Sequence, residues 1–524
     1  MKIVDIKDAP KAGSARHQNK SLAGQVTDTR NETSAHKEAD VRNEAGSAPD
    51  ACVTLRQVSF GASPAKEEAP IQVTIESLDT CAPRYTSYPT ADRFIEAFGP
   101  GDYANHLSTR ELNHGLPLSV YLHIPFCSQL CFYCACNKTI TQQYEKAIPY
   151  VERLISELGM VDSHLTRDRR LTQIHWGGGT PTFLKAPEII RLMDALRSTF
   201  DFDKGGEYSI EIDPRTVDRQ MLELLKEQGF NRLSLGVQDF DVAVQAAINR
   251  VQPLELVDQV LSDSRELGFE STNFDLIYGL PKQHVEGYRQ TVESVIGMRP
   301  ERIALYNYAH LPTRFKAQRL INDDEMPSAE EKLAIFEMAN DLLDAAGYEY
   351  IGMDHFALPE DELAYAHRAG RLHRNFQGYS TQADCDLIAL GASAISRVGS
   401  CYAQNLRGVN EYSDRVAQGV LPTLRGIELS RDDILRRSLI MAIMCQGEVD
   451  KSSIEIAHLI DFDSYFEQEL AELEPMAVLG FVELSDKLVT VTASGRRKAL
   501  RLIAGVFDRY LQDQNTRNRF SRVL

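Results

Sequence analysis

Between residues 119 and 308 the chain alternates short apolar runs with amphipathic stretches. Runs at 120–124, 173–176, 208–212, 232–237, 273–278 and 302–308 are rich in β-branched and aromatic residues and predict strands. Stretches such as 144–158, 188–198, 221–228 and 254–267 repeat apolar positions at helical spacing. Strand and helix in alternation, joined by short connections, predict a parallel α/β sheet, because each right-handed crossover lays its helix on the outside. Six such units suit a curved, partly open barrel, although a doubly wound sheet shares the local pattern. In both arrangements ligands collect beyond the carboxyl ends of the strands. A cysteine loop follows the first run and Gly177-Gly178-Gly179-Thr180-Pro181-Thr182 the second. Glu211 and Asp213 end the third, Gln238 the fourth, Asp275 and Gly279 the fifth, and Ala309 the sixth. Each alone has a plain explanation, a turn glycine or a helix-capping carboxylate; their convergence on one rim is what points to a site.

The flanks read differently. Residues 1–75 show no sustained period and one aromatic, Phe60, so they cannot bury enough apolar area to offset chain entropy and are expected to be a disordered tail. Residues 76–116 form an amino-terminal arm containing CAPRYTSYPTADRF, too proline-constrained for a helix and too aromatic for a solvated linker. It is either a belt over the domain surface or an arm closing a site. The barrel is expected over 117–312, a helical extension with substrate-side loops over 313–430, and a mainly helical carboxyl-terminal domain with a short β-wing, turning at Ser485-Asp486, over 431–524. Helices followed by a wing imitate DNA binders.

Charge argues against that use. Lys and Arg number 57 against 75 Asp and Glu, a net −18, a balance that argues against a nucleic-acid surface and requires a local basic pocket for an anionic substrate. No apolar run is long enough for a membrane span, and MKIVDIKDAPKAGSARHQ lacks the apolar core of a signal peptide. Nine cysteines, four of them in one loop, do not make a secreted disulfide framework, and a reducing cytoplasm fits best.

Those four cysteines, Cys127, Cys131, Cys134 and Cys136, carry the chemistry. A redox dithiol needs only Cys131 and Cys134 and leaves Cys127 unexplained; structural zinc needs a fourth ligand, for which Cys136 and His123 are the candidates. An iron–sulfur cluster held by three close thiolates leaves one iron open to a ligand. On spacing alone these alternatives stay open.

The Cys-x3-Cys-x2-Cys spacing, with Tyr133 before the third cysteine, resembles the signature of radical S-adenosylmethionine enzymes. PRYTSYPTA, YLHIPFC, CACNK, HWGGGTPT, SIEIDPR, SLGVQDF, NFDLIYGLP and ALYNYAHLP, in order from about residue 80 onward, resemble the oxygen-independent coproporphyrinogen III oxidase family. That resemblance implies an incomplete (β/α)6 barrel, a [4Fe–4S] cluster on Cys127, Cys131 and Cys134, and two S-adenosylmethionines per chain. It implies oxidative decarboxylation of two propionates of coproporphyrinogen III to vinyls in haem biosynthesis, fed by an electron donor of flavodoxin or ferredoxin type, in a monomer. By motif, Tyr121, Tyr133, Gly178, Glu211 and Ile395 would contact the first S-adenosylmethionine, and Gly179, Thr180, Gln238, Arg250, Asp275 and Ala309 the second. Glu211 and Asp275 suit hydroxyls or an ammonium, and Arg250 a carboxylate gripped bidentately. Cys136, not needed as a ligand, is a candidate catalytic thiol whose plainer role is loop packing. Ala135 stands where relatives often have glycine, and the order Phe132-Tyr133 leaves open which aromatic stacks on the adenine. HRNFQGYST, with Arg374, Asn375 and Gln377 beside Phe376 and Tyr379, suits a flat carboxylate-bearing macrocycle. A haem-binding chaperone of the same fold, or another tetrapyrrole-modifying radical enzyme, is the alternative.

Overall fold

The computed structural model describes residues 81–110, 116–165, 168–382, 385–511 and 520, so the tail expected over 1–75 lies outside the described residues. Strands β1 (Leu118–Ile124), β2 (Arg170–Gly178), β3 (Asp201–Ile212), β4 (Arg232–Gln238), β5 (Ser271–Tyr278) and β6 (Arg302–Asn307) pair in chain order and in parallel. Their crossovers include helices Ala147–His164, Ala186–Thr199, Arg219–Glu227, Leu254–Glu266 and Val285–Met298. This is the expected partial barrel.

Residues 313–430 depart from the helical extension expected there. Helix Ala329–Ala345 forms as its periodicity predicts, capped by Ser328, whose hydroxyl accepts from Glu331 N at 3.1 Å. The segment also supplies β7 (Glu349–Gly352), β8 (His355–Ala357), β9 (Asp386–Leu390), β10 (Ile395–Val398), β11 (Cys401–Asn405) and β12 (Thr423–Glu428). Hydrogen-bonded neighbours run β12-β11-β10-β9-β1-β2-β3-β4-β5-β6-β8-β7, so different strands occupy the two edges and the barrel stays open. β9 lies parallel to β1, with Ala389 opposite Tyr121. These strands are short and β9 is buried at every position, so no alternation marks them; long-range pairing holds them instead.

The sheet has two unlike faces. Val120, Leu122, Ile174, Trp176, Ile210, Leu233, Leu235, Phe274 and Leu276 are buried in one hydrophobic core with the crossover helices. The alternate positions, among them His175, Ser209, Glu211, Ser234, Asn273 and Asp275, turn inward, as the period of two along a strand requires. Helix Ala147–His164 is also pinned by a buried carboxylate: Glu157 accepts from Gly391 N (2.8 Å), Asn405 Nδ2 (2.6 Å) and Tyr412 Oη (2.5 Å). Burial pushes this carboxyl up to about 7 even though its three donors act in the other direction.

A second core gathers Leu439, Ile443, Phe462, Phe466 and Phe507 of the carboxyl-terminal helices. Helix Arg431–Gln446 starts in a capping box, with Ser430 Oγ accepting from Asp433 N and the Asp433 carboxylate accepting from Ser430 N. The expected wing is present as Val482–Leu484 and Leu488–Val491 turning at Ser485, with Glu448–Asp450 as a third strand. The amino-terminal arm belongs to this core. Tyr85 and Tyr88 are buried in it, and Tyr85 Oη donates to Asp508 Oδ2 at 3.0 Å. Between those tyrosines and the sheet, Arg84 pairs with Asp354 and lies 5.7 Å from the Tyr306 ring centre, so the arm touches both the domain surface and the barrel mouth. Among the described residues no helix is long and apolar enough to cross a membrane.

Candidate active site

The cysteine loop is clipped at its base. Phe126–Cys127 and Thr139–Ile140 pair in parallel, and Thr141 N donates to Cys127 O at 2.9 Å, so the loop leaves and re-enters at one point. Its middle docks on the segment after β4: Phe132 N donates to Ile248 O (2.9 Å) and Asn249 Nδ2 to Leu130 O (2.8 Å). At its exit Asn137 Nδ2 donates to Ser393 Oγ (2.9 Å) and Arg407 O (2.9 Å), tying it to the turn between β9 and β10 and to the segment after β11.

A cavity of about 280 Å³ opens under this loop at the carboxyl ends of β1 to β6. Cys127, Cys131, Cys134 and Cys136 line it together with Glu211, Gln238, Arg250 and Asp275. Tyr133, Gly178, Gly179 and Thr180 complete it, so twelve of the fifteen residues singled out from the sequence meet in one place. The other three stand outside that lining. Tyr121 stacks on His175, with ring centres 5.9 Å apart. Ala309 offers its carbonyl to Gln318 Nε2 at 3.2 Å, the same amide that reaches Tyr133 O at 2.9 Å. Ile395 packs beside Phe376 and Tyr402.

The thiols sit among donors suited to sulfide and thiolate sulfur. Thr180 Oγ1 donates to Cys127 Sγ at 3.5 Å, while Arg250 Nη1 and Arg215 Nη2 approach Cys131 Sγ at 3.6 and 3.8 Å. Among the described residues no three Cys, His, Asp or Glu side chains close on a single point as a lone metal ion requires. His123, weighed as a fourth ligand, has both ring nitrogens engaged: Nε2 faces Asn137 O (2.9 Å) and so carries the proton, and Nδ1 accepts from Tyr121 Oη (3.1 Å). Three thiols lining one cavity, with two cationic donors at Cys131, fit a cluster several ångström across, and the same cavity has room for its organic partner. Cys134 is held below the usual thiol range by the hydrogen bond from Cys136, with Lys138 assisting, whereas Cys136 is held up by that same neighbour. The two therefore ionise in that order.

The two carboxylates lining the cavity differ in state. Burial favours protonation of Glu211, but His175 Nε2 (3.2 Å) and Gly178 N (3.1 Å) outweigh it and keep the group below the ordinary range. Asp275 is pushed up to about 7, first by burial and then by the charge of Glu211, despite hydrogen bonds from Asn273 Nδ2 (2.8 Å) and Ser234 Oγ (3.1 Å). Arg250 is committed through Nη1 to Asp213 (3.0 Å) and through Nη2 to Gly236 O (2.6 Å); its buried Nε has no partner and remains for a ligand. A bidentate grip on a ligand carboxylate, expected from its chemistry, is therefore replaced by a grip on Asp213, which with Arg215 closes this corner.

The glycine run works differently from a nest of free N–H groups. Gly178 N bonds Glu211, Gly179 N bonds Ile124 O (2.8 Å) and Thr180 N bonds Phe126 O (2.9 Å), all within the protein. A Cβ on Gly179 would lie 2.8 Å from Phe126 O and from Pro125 C, so glycine is what lets this turn press against the backbone that starts the cysteine loop. His175, Ser209, Ser234, Asn273 and Tyr306, not singled out from the sequence, line the cavity or the hollow beneath it. Their signal was the alternation in QIHW, YSIEI, RLSLG, NFDLIY and RIALYN.

Comparison with known proteins gives concordant relatives. Residues 121–295 match the radical SAM superfamily and residues 429–497 the HemN C-terminal domain. The chain is 48% identical over 453 residues to an oxygen-independent coproporphyrinogen III oxidase of Pseudomonas aeruginosa, covering 86% of this chain and 98% of the relative. Its counterpart from Escherichia coli is 46% identical over 450 residues, covering 86% and 97%. The solved structure of coproporphyrinogen III oxidase (HemN) from Escherichia coli, described as a radical SAM enzyme, superposes with a TM-score of 0.79 at 46% identity, over 82% of this chain and 97% of that one.

Proposed function

Because the chain belongs to the oxygen-independent coproporphyrinogen III oxidases, a family of radical S-adenosylmethionine enzymes, we propose that the cavity under the cysteine loop is where it binds cluster, cofactor and substrate for that reaction. The reaction is the oxidative decarboxylation of two propionates of coproporphyrinogen III to vinyl groups, giving protoporphyrinogen IX in haem biosynthesis. When bound, a [4Fe–4S] cluster and S-adenosylmethionine supply the carbon radical that removes hydrogen from a propionate arm.

The chain's own residues hold and shield that chemistry. Cys127, Cys131 and Cys134 are the cluster ligands in this reading, and Arg215, Arg250 and Thr180 direct donors at two of the three sulfurs, which stabilises their charge. Glu211, kept ionised, accepts from the ammonium or ribose hydroxyls of the first S-adenosylmethionine, alongside Tyr121, Tyr133, Gly178 and Ile395. Gln238, Arg250 through its free Nε, and Asp275, with Gly179, Thr180 and Ala309, serve a second S-adenosylmethionine. Cys136, which lines the cavity with the three ligands, is the candidate catalytic thiol, holding a propionate or methionine group in place. A flavodoxin or ferredoxin type donor feeds electrons to a monomeric enzyme in the cytoplasm.

The observation that carries this reading is the convergence of three thiols, Glu211, Asp275 and Arg250 on one cavity. Anaerobic incubation of the reconstituted protein with coproporphyrinogen III, S-adenosylmethionine and a reductant tests it. Vinyl product is expected; porphyrin binding without product would instead assign a carrier role.

A further inference from the structure

A second polar cavity lies beside hairpin 373–380 and shares no lining residue with the cysteine cavity. It encloses about 230 Å³ between that hairpin, the arm at Thr86 and Ser87, the strands β9 to β11 and helix Arg431–Gln446. Arg374, Arg397 and Arg437 line it, and no Asp or Glu does. In a chain of net −18, three arginines around one hollow without a carboxylate go against the average composition.

Their remaining contacts leave charge to be met. Arg374 is 4% exposed; its Nε donates to Arg84 O at 3.3 Å and its guanidinium lies 4.6 Å from the Tyr379 ring centre, yet its buried Nη1 has no partner. Arg437 likewise has a buried Nη1 without a partner. Arg397 donates, among the described residues, only to the carbonyl of Cys385. Among the described residues none of the three forms an ion pair. Leaving a buried charged donor unmet is unfavourable, and an anionic ligand would relieve it. A carboxylate, with up to four acceptor positions, matches two guanidinium edges at once. Phe376 and Tyr402, edge to face at 6.2 Å, add an aromatic wall for the apolar part of such a ligand.

The hairpin places this pocket next to the reaction. Gln377, just beyond Arg374 and Phe376 in the same hairpin, lines the hollow shared with Glu211 and Asp275. We propose that the Arg374–Arg397–Arg437 cavity is a carboxylate subsite that holds a propionate arm of the substrate, and that the arm held there is one that keeps its carboxylate. The inference rests on the proposed substrate; because the pocket has no lining in common with the thiols, an arm inside it is withheld from the radical while the opposite side of the macrocycle is presented.

The test uses reconstituted full-length enzyme. Binding of coproporphyrin III and of its tetramethyl ester is measured by fluorescence titration for wild type, Arg437→Gln, Arg397→Gln and Arg437→Lys, with KM and kcat for coproporphyrinogen III. Arg437→Gln should weaken the free acid about tenfold or more, as loss of a charged hydrogen bond does, while ester binding stays the same, so that the acid-over-ester preference collapses. KM should rise with kcat within about twofold, and Arg437→Lys should recover part of the loss because a point charge remains. Unchanged acid binding in both glutamine variants, or equal losses for acid and ester, would overturn the subsite. A wild type that shows the acid preference but makes no vinyl product would refute the proposed reaction and leave the pocket standing.

Discussion

Replacing Gly179 by alanine adds one methyl group and should cost the enzyme its cluster. The new Cβ would sit 2.8 Å from Phe126 O and Pro125 C and 2.9 Å from Pro125 O, whereas ordinary contact begins at 3.4 Å. All three atoms are backbone, so no side chain can swing away; either β2 retreats or the start of the cysteine loop moves by about 0.6 Å, and Cys127 is the next residue. Overpacking of this kind costs about 1–3 kcal/mol. Gly159→Ala is the control: it lies within helix Ala147–His164, its Cβ meets nothing within 4 Å, and alanine there should add about 0.5–1 kcal/mol of stability. Denaturant melts of the apoproteins, with iron content and visible absorption after anaerobic reconstitution, give the result. Gly179→Ala with wild-type stability and a full cluster would refute the argument that this glycine exists for backbone clearance.

Serine at Cys127, Cys131 or Cys134 singly should abolish the visible absorption and the reduced-state EPR signal; their survival in all three would exclude these ligands. Equilibrium binding should show two S-adenosylmethionines per chain, falling toward one in Asp275→Ala; a wild-type stoichiometry of one would remove the second site. Cys136→Ser should keep its iron and cofactor binding but lose most vinyl formation, whereas full activity would leave Cys136 a packing residue. Glu157 binds its proton more tightly folded than unfolded, so its contribution is complete below its ordinary pKa and is lost as pH rises through about 7. At about 1.4 kcal/mol per pH unit, the stability deficit of Glu157→Gln should shrink by about 3 kcal/mol between pH 4.5 and pH 7.5 in urea melts. A deficit independent of pH would show that folding leaves the Glu157 carboxyl at its unfolded pKa.

The six parallel strands and their helices were legible because each carries its own local period, and the strand limits read from it differ from those observed mainly at the amino ends, as in β3, which starts at Asp201 rather than near Tyr208. The strands from 349 to 428 were not, since three to six residues with a fully buried pattern such as DLIAL carry no period and are fixed only by partners far away in the chain. Cysteine spacing and strand-end carboxylates placed most of the site. The commitments of Arg250 and of the glycine-run amides were hidden, because they depend on Asp213, Glu211 and the carbonyls of β1 and of the loop after it, geometry that exists only once the sheet is assembled. The inward polar row was written in the alternation of the strands themselves.

The parallel pairing of β9 with β1 also sets a schedule for synthesis. Roughly 260 residues separate the end of β1 from the start of β9, which at 5–20 residues per second is about 13–50 seconds of translation. From the completion of β2 until β9 is made, β1 has β2 on one side and an unsatisfied edge on the other, directly before the cysteine loop. The exit of that loop is anchored at Asn137 to residues 393 and 407, so its final shape also waits for the later part of the chain. A nascent chain released early would present an unpaired β-edge and an unanchored cysteine loop together.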